Sequence, residues 1–421
     1  MNLVRQLVLY CLFVGTTFLY AKESSYGISG NPGAVNILTG TGELGKLLQI
    51  PESSGVRLGG VWLGDYNALL CGGDGTHHNR RWTGNSSFIL DLSVDLQKAM
   101  GWKNAFFGTE FLQFNGQPTN GDAGVVQGYN SLPGSPPLNR SELYQLWLRQ
   151  TFLDDKLSIR IGKTVPIYHF NNVSKPVPKD DPTAAIPSVT GLIYTPIFVN
   201  TTLIGAIGGY YNSVYGIVAT ISPSKEAYVN LGFFDGNLAR GVQTGLMGPH
   251  FNGYYFSITE AGYGWTGPKP GIAAIGGWYQ SGLLKSGTQK QNGTGGIYGF
   301  GSQALWTKES QPTNKNISGF FQFGWNNSRT LPMNLFAGMG LTAFALVHKR
   351  PNDSFGFGVA WSRLNRHTFE RYSEFMFQTY YQAQLYSSIY FQPVLSYIPN
   401  PGAHPTKSNV VALTGRLIVL F

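Results

Sequence analysis

Two short motifs near the start of the chain have the spacing of sites that bind nucleotides or metals. The run GTGELGK at residues 40–46 has the spacing of a phosphate-binding loop, but Leu47 stands where that loop needs Ser or Thr to hold magnesium. His77 and His78 are adjacent, so their side chains diverge, and no acidic or Cys partner follows at ligand spacing. We therefore expect neither a metal site nor any other cofactor.

A third pattern, EFMFQTYYQAQLY at residues 374–386, carries a different chemistry. Glu374, Gln378 and Gln382 share one parity, whereas Phe375 and Phe377 share the other. Successive side chains of a strand point to opposite faces, so this alternation predicts a strand between a polar and an apolar medium. Amide and carboxylate groups exchange hydrogen bonds with water and with polar solutes. Such a polar face is suited to a neutral polar solute.

Similar alternating segments recur along most of the chain. They are separated by turn signals such as Asn120-Gly121, Gly267-Pro268 and Asn292-Gly293. No helical period of comparable length competes with them, and no stretch after the start of the chain offers about 18 consecutive apolar residues. The uncharged segment from Pro182 to Ser224 is interrupted by prolines and glycines, which favours a long loop followed by one or two strands. The sequence therefore predicts an all-β chain of many hairpins.

Composition indicates where the apolar faces point. Charged residues make up 12% of the chain, against roughly 25% in soluble domains, and aromatic residues make up 14%. A soluble β-sandwich of this length would need several domains joined by polar linkers, and no such boundary appears between Gly55 and Phe421. A membrane barrel needs no linkers, because its apolar faces contact lipid and its polar faces enclose water. We predict a transmembrane antiparallel β-barrel.

The two ends of the chain support export to an outer membrane. Residues 1–21 have one positive charge at Arg5 and an apolar run, which predicts a secretory signal peptide. We then expect a lead-in segment at residues 22–50 and the barrel at residues 51–421. The last strand ends on Phe421, a feature typical of chains recognised by the barrel-assembly machinery. The formal net charge is +9, but no Lys/Arg run exceeds two residues, so we expect no nucleic-acid partner.

Several blocks together resemble one family, the carbohydrate-selective porins of the OprB type. The most specific is LYQLWLRQTFLDDKLSIRIGK at residues 143–163, and others are LDLSVDLQKAMGWKNAFF at 90–107 and YYQAQLYSSIYFQPVLSYIPNPGA at 380–403. The likeness runs in order from Leu38 to Phe421. It implies a barrel of 16 strands in the outer membrane of a diderm bacterium, through which mono- or small oligosaccharides diffuse passively into the periplasm.

The candidate pore-lining residues follow from strand parity alone. They are Arg57, Asp65, Asp91, Asp95, Glu110, Gln145, Arg149, Arg160, Glu260, Glu374, Gln378, Tyr380, Gln382 and Arg416. Their mixed charges favour a neutral solute. The expected partners are small carbohydrates, outer-membrane lipids and lipopolysaccharide, the barrel-assembly machinery and a second copy of the chain.

Three alternatives remain on the residues alone. One is a general or anion-preferring porin, and another is a secreted β-rich, glycan-binding adhesin whose apolar faces pack inside. The third is an outer-membrane lipase, but no Ser/His/Asp set can be paired in the sequence, so we do not expect an enzyme.

Overall fold

The alternating segments form antiparallel strands, each paired with its neighbours in the chain. The computed structural model describes residues 42–73, 82–132, 138–173, 212–240, 248–265, 267–308, 315–386, 388–403, 405–406 and 409–421. The strands are β1 (Val56–Cys71), β2 (Trp82–Asp95), β3 (Ala105–Asn115), β4 (Asn139–Phe152), β5 (Leu157–Thr164), β6 (Val214–Ile221), β7 (Ala227–Asp235), β8 (Tyr255–Trp265), β9 (Gly271–Ser286), β10 (Gln289–Lys308), β11 (Lys315–Asn326), β12 (Met333–Phe344), β13 (Ser354–Leu364), β14 (Ser373–Tyr386), β15 (Ile389–Pro399) and β16 (Asn409–Leu420). The predicted all-β barrel of 16 strands is confirmed.

The first and last strands close the barrel. β1 pairs with β16 in a register that sets Asp65 opposite Arg416. The C-terminal residue continues this pairing, because Phe421 N donates to Gly60 O at 3.0 Å and Gly60 N donates to Phe421 O at 2.7 Å. Closure leaves the sheet without an unpaired edge, which is the condition for a sheet to cross hydrocarbon.

The two faces of the strands have opposite character. Phe375 on β14 is 43% exposed on the outside of the barrel, whereas Gln378 on the same strand is 1% exposed on the inside. Aromatic side chains on the outer face also stack, as Phe357 does on Phe377 and Phe377 on Tyr397. The apolar faces thus point outward to lipid and the polar faces inward, as the alternation predicted.

The helices of the described chain are short. They are α1 (Glu43–Leu47), α2 (Leu96–Met100) and α3 (Thr119–Asp122), and no helix among the described residues is long and apolar enough to cross a membrane. The end of the GTGELGK run forms α1, where a Cβ on Gly45 would lie 3.3 Å from Leu58 N, so this glycine allows close packing on β1. The predicted signal peptide at residues 1–21, most of the lead-in segment and the pair His77-His78 lie outside the described residues.

The barrel has two different ends. Short connections such as residues 153–156, together with α1 and Phe421, lie at one end, which we call the turn end. Long connections lie at the other, the loop end. Their described parts include residues 116–132 and 138 between β3 and β4, which we call the β3–β4 loop, and residues 165–173 and 212–213 between β5 and β6, which we call the β5–β6 loop. Short turns are periplasmic and long loops extracellular in barrels of this kind. Within Pro182–Ser224, Val214–Ile221 forms β6, and residues 182–211 lie outside the described chain.

Candidate pore-lining site

Strand register divides the predicted residues into three groups. The first, which we call the β1–β5 cluster, contains Arg57, Asp91, Glu110, Gln145, Arg149 and Arg160. The second, which we call the anchor network, contains Asp65, Glu374, Gln378 and Arg416. The remaining four, Asp95, Glu260, Tyr380 and Gln382, lie apart from both groups.

The β1–β5 cluster consists of two cross-strand rows of opposite charge. In one row Asp91 faces Glu110, which in turn faces Gln145. In the other, closer to the turn end, Arg149 faces Arg160. Like charges that face each other within a row repel, so the attraction between the acidic row and the basic row stabilises both. Arg160 attracts Glu110 electrostatically, and Arg57 on β1 attracts Asp91.

The acidic row has polar atoms without hydrogen-bond partners. Both carboxylate oxygens of Glu110 and one oxygen of Asp91 are buried and lack a hydrogen-bond partner among the described residues. In the neighbouring row, Arg149 Nε is also without a partner there. Buried polar atoms in folded proteins are nearly always satisfied, and leaving one unsatisfied costs about 1–3 kcal/mol. These atoms can accept and donate further hydrogen bonds, but Asp91 and Glu110 are only 2% and 1% exposed, so a solute reaches them only when neighbouring side chains move aside.

Aromatic side chains fix the two guanidinium groups of the cluster. The Arg160 guanidinium lies 3.9 Å from the centre of the Trp147 ring, and that of Arg149 lies 4.5 Å from the centre of the Phe106 ring. Stacking of this kind restricts the orientation of an arginine and leaves its edge able to donate hydrogen bonds. One terminal nitrogen of Arg160 already lies 3.4 Å from His169 Nε2. The same rings could contact the apolar face of a sugar.

The anchor network begins with an ion pair inside the barrel. Arg416 Nε donates to Asp65 Oδ1 at 2.7 Å, and a terminal guanidinium nitrogen of Arg416 donates to Asp65 Oδ2 at 2.8 Å. Asn130 of the β3–β4 loop joins the pair, because its Nδ2 donates to Asp65 Oδ2 at 2.7 Å and to Asn67 Oδ1 at 2.8 Å. Asp65 thus holds both a neighbouring strand and a loop.

On the other side of the same loop, β14 supplies the contacts. Glu374 accepts hydrogen bonds from the main-chain N–H groups of Val126 at 3.0 Å and Gln127 at 2.9 Å. Gln378 Nε2 donates to Tyr129 O at 3.1 Å. Burial, together with nearby Asp65 and Asp122, raises the pKa of the Tyr129 hydroxyl, which therefore stays protonated. These predicted pore-lining residues hold a loop inside the barrel.

Glu260 on β8 contacts the β5–β6 loop in the same way that Glu374 contacts the β3–β4 loop. Its carboxylate accepts hydrogen bonds from the hydroxyls of Tyr228 and Tyr298, each at 2.9 Å, and from the main-chain N–H of Asn171. Asn230 on β7 adds a bond from its Nδ2 to His169 O at 2.9 Å. Glu260 is therefore saturated by protein donors.

The other three predicted residues lie outside these contacts. Asp95 ends β2 and caps α2, accepting from Gln97 N at 3.0 Å and Lys98 N at 3.3 Å. Tyr380 and Gln382 are buried on the inner face of β14, where Tyr380 donates weakly to Ser354 Oγ at 3.5 Å. Among the described residues, no group of three or more His, Cys, Asp or Glu side chains is placed to hold a metal ion.

Parity alone did not indicate several residues that form these sites. Phe106 and Trp147 share a strand face with Glu110 and Arg149, so the alternation contained a signal for them. The loop residues that contact the strands, such as Gln127 and Asn130, lie in a segment without alternation, which contains no signal of their inward position.

A closed barrel with an apolar outer face, a polar lumen and loops folded into it defines a porin. The family model of the carbohydrate-selective porins, OprB family, matches residues 85–421. The chain belongs to this family.

Individual proteins are also similar to this chain. Porin B of Pseudomonas aeruginosa is 23% identical over 420 residues, which cover 86% of each chain. The high-pH structure of Pseudomonas putida OprB superposes with a TM-score of 0.78 at 16% identity, covering 96% of this chain and all of that one. The low-pH structure of the same protein gives a TM-score of 0.58 at 15% identity, covering 90% and 97%.

Family and fold together define what kind of protein this is. It is a porin of the outer membrane of a Gram-negative bacterium and forms a channel with a preference for carbohydrates. This confirms the resemblance read from the sequence. A porin family and a porin barrel indicate a channel rather than an enzyme.

Proposed function

We propose that neutral mono- and small oligosaccharides diffuse through this porin into the periplasm and that the β1–β5 cluster is where they contact the wall. A sugar that leaves water loses hydrogen bonds from its hydroxyls, at a cost of several kcal/mol each (about 2–7) unless they are replaced. A channel must supply replacements that are weak enough for the sugar to leave again.

The unpaired polar atoms of the cluster carry this proposal. The carboxylates of Glu110 and Asp91 accept hydrogen bonds, Arg149 and Arg160 donate them, and both kinds of group lie in adjacent rows. A sugar hydroxyl both donates and accepts, so the two rows together complement it. Trp147 and Phe106 add aromatic surface beside the guanidinium groups.

The mixed charges of the cluster also argue against the anion-preferring alternative. An anion entering between the rows would gain from Arg57, Arg149 and Arg160 and lose from Asp91 and Glu110, so the acidic row offsets part of the attraction. A neutral solute meets neither the attraction nor the repulsion.

We further propose a biogenesis that accords with this role. Residues 1–21 direct export and are removed, residues 22–50 form a lead-in segment, and residues 51–421 form the barrel. The barrel-assembly machinery recognises the β16 strand that ends on Phe421. Outer-membrane lipids and lipopolysaccharide surround the barrel, and a second copy of the chain is a further candidate partner.

Liposome swelling with glucose, maltose and phosphate tests the solute preference. We expect glucose to enter fastest and phosphate slowest. Planar-bilayer recordings should show current that is blocked by added sugar, because a bound sugar occupies the ion path. Equal swelling rates for phosphate and size-matched sugars would contradict the preference for neutral solutes.

A further inference from the structure

We propose that Glu374 is the positioning residue that holds the β3–β4 loop across the lumen and thereby sets the upper size of the solute. The size limit rests on the proposed passage of sugars, whereas the tether itself can be judged from ion conductance alone.

The carboxylate of Glu374 is saturated by main-chain donors. Oε1 accepts from Gln127 N at 2.9 Å, and Oε2 accepts from Val126 N at 3.0 Å and from Gly402 N. Glu374 is buried, with none of its surface exposed. A buried carboxylate with three N–H donors is tightly held, because hydrogen bonds to a charged group are about twice as strong as neutral ones. Glu374 thus fixes the loop to the wall and leaves no oxygen for a solute.

The loop reaches Glu374 from a distant part of the wall. It leaves β3 and returns to β4, while in the barrel order β2, β1, β16 and β15 separate β3 from β14. Before the loop reaches Glu374, Thr119 Oγ1 accepts from Asn85 Nδ2 on β2 at 2.8 Å, and after Glu374 the loop turns back, so that Asn130 contacts Asp65 on β1. The segment, which we call the chord, therefore extends from β2 to β14, and Val126 and Gln127 are fixed at its far end.

Neighbouring side chains support the Glu374 tether. Ser362 Oγ on β13 donates to Gln127 Oε1 at 2.8 Å, and Gln127 Nε2 donates to Glu374 O at 3.4 Å. The β15–β16 connection joins the loop directly, since Ala403 N donates to Gly124 O at 3.1 Å. Removing the Glu374 carboxylate leaves three main-chain donors without their acceptor. The far end of the chord should then leave the wall.

The first experiment compares Glu374→Ala with wild type in planar bilayers and in liposomes. We expect higher single-channel conductance and faster swelling with a trisaccharide relative to glucose, roughly two-fold or more, because pore width sets both.

Gln392→Ala is the matched control: it also truncates a buried polar side chain of the lumen wall, on the neighbouring strand β15, and should conduct like wild type. Heat-modifiable migration in SDS gels shows whether each barrel is folded, and Glu374→Gln replaces the alanine variant if that variant does not fold.

The second experiment restores the tether by other means. A Cβ built on Gly402 would lie 2.9 Å from Val126 Cγ2, so cysteines at both positions come within reach of a disulfide once the end of the Leu364 side chain shifts. We would add Val126→Cys and Gly402→Cys to Glu374→Ala, with the exposed Cys71 changed to Ser. Oxidation should return the conductance and the size limit to wild-type values, and reduction should bring back the values of Glu374→Ala. If Glu374→Ala acted only by lowering the stability of the barrel, oxidation and reduction would not change the conductance reversibly.

Two outcomes would overturn the proposal. One is a folded Glu374→Ala barrel with wild-type conductance and size limit. The other is a complete disulfide, verified by mass, that leaves the conductance of Glu374→Ala unchanged. If wild type instead fails to pass any sugar, the proposed function falls, while the conductance comparison still decides the role of Glu374.

Discussion

The β1–β5 cluster and the anchor network lie in the same lumen and contain the same residue types, but their hydrogen bonding differs. In the anchor network, Asp65 and Glu374 are saturated by an arginine, an asparagine and main-chain N–H groups. In the β1–β5 cluster, both oxygens of Glu110 lack a hydrogen-bond partner within the described chain. Facing the lumen is therefore not enough to identify a solute contact. The hydrogen bonds already made distinguish residues that hold the protein together from residues available to a sugar.

The largest expected effect is on the stability of the anchor network. Asp65→Ala leaves Arg416 as a buried charge without its carboxylate, which we expect to lower the free energy of unfolding by about 3–5 kcal/mol. Denaturant unfolding of the barrel in detergent micelles measures this. Asp65→Asn keeps the volume and one acceptor and should lose less. Equal stability of wild type and Asp65→Ala would remove the distinction between the two groups.

A smaller effect, on solute binding and not on stability, is expected in the β1–β5 cluster. Glu110→Gln replaces one carboxyl oxygen with an amide nitrogen that cannot accept, and a hydrogen bond contributes about 0.5–1.5 kcal/mol. We expect sugar to block the bilayer current roughly two- to ten-fold less tightly. The free energy of unfolding should be unchanged or higher, because an unpaired buried carboxylate is costly. An unchanged block constant would place sugar recognition elsewhere in the lumen.

The smallest effect is expected at Asp95, which parity assigned to the lumen and which caps α2. Asp95→Ala removes the acceptor for Gln97 N and Lys98 N, and loss of an N-cap costs about 1 kcal/mol. Sugar block should equal that of wild type. Lys103→Ala, at an exposed position in the same turn, serves as the control for stability. Weaker sugar block in Asp95→Ala would contradict the capping role and return Asp95 to the pore.

Much of the barrel could be predicted because strand alternation is a local property. The parity of Phe375 and Gln378 gave the correct side for each, and the order of the hairpins followed from turns between alternating segments. The same parity assigned Glu110 and Glu374 identically, although one is unpaired and the other holds a loop. Residues of the β3–β4 loop such as Gln127 and Asn130 could not be predicted, since nothing in an irregular segment specifies which strand it contacts.

The order of residue types along each strand specifies which side meets lipid and which meets water, because neighbouring side chains of an extended chain must point in opposite directions. Which of the inward-facing groups remain available for a solute can be seen only in the folded barrel. That depends on a loop between β3 and β4 whose main-chain donors meet a carboxylate on β14, some 250 residues further along the chain. Contacts over such a separation arise from closure of the barrel, and no local pattern encodes them.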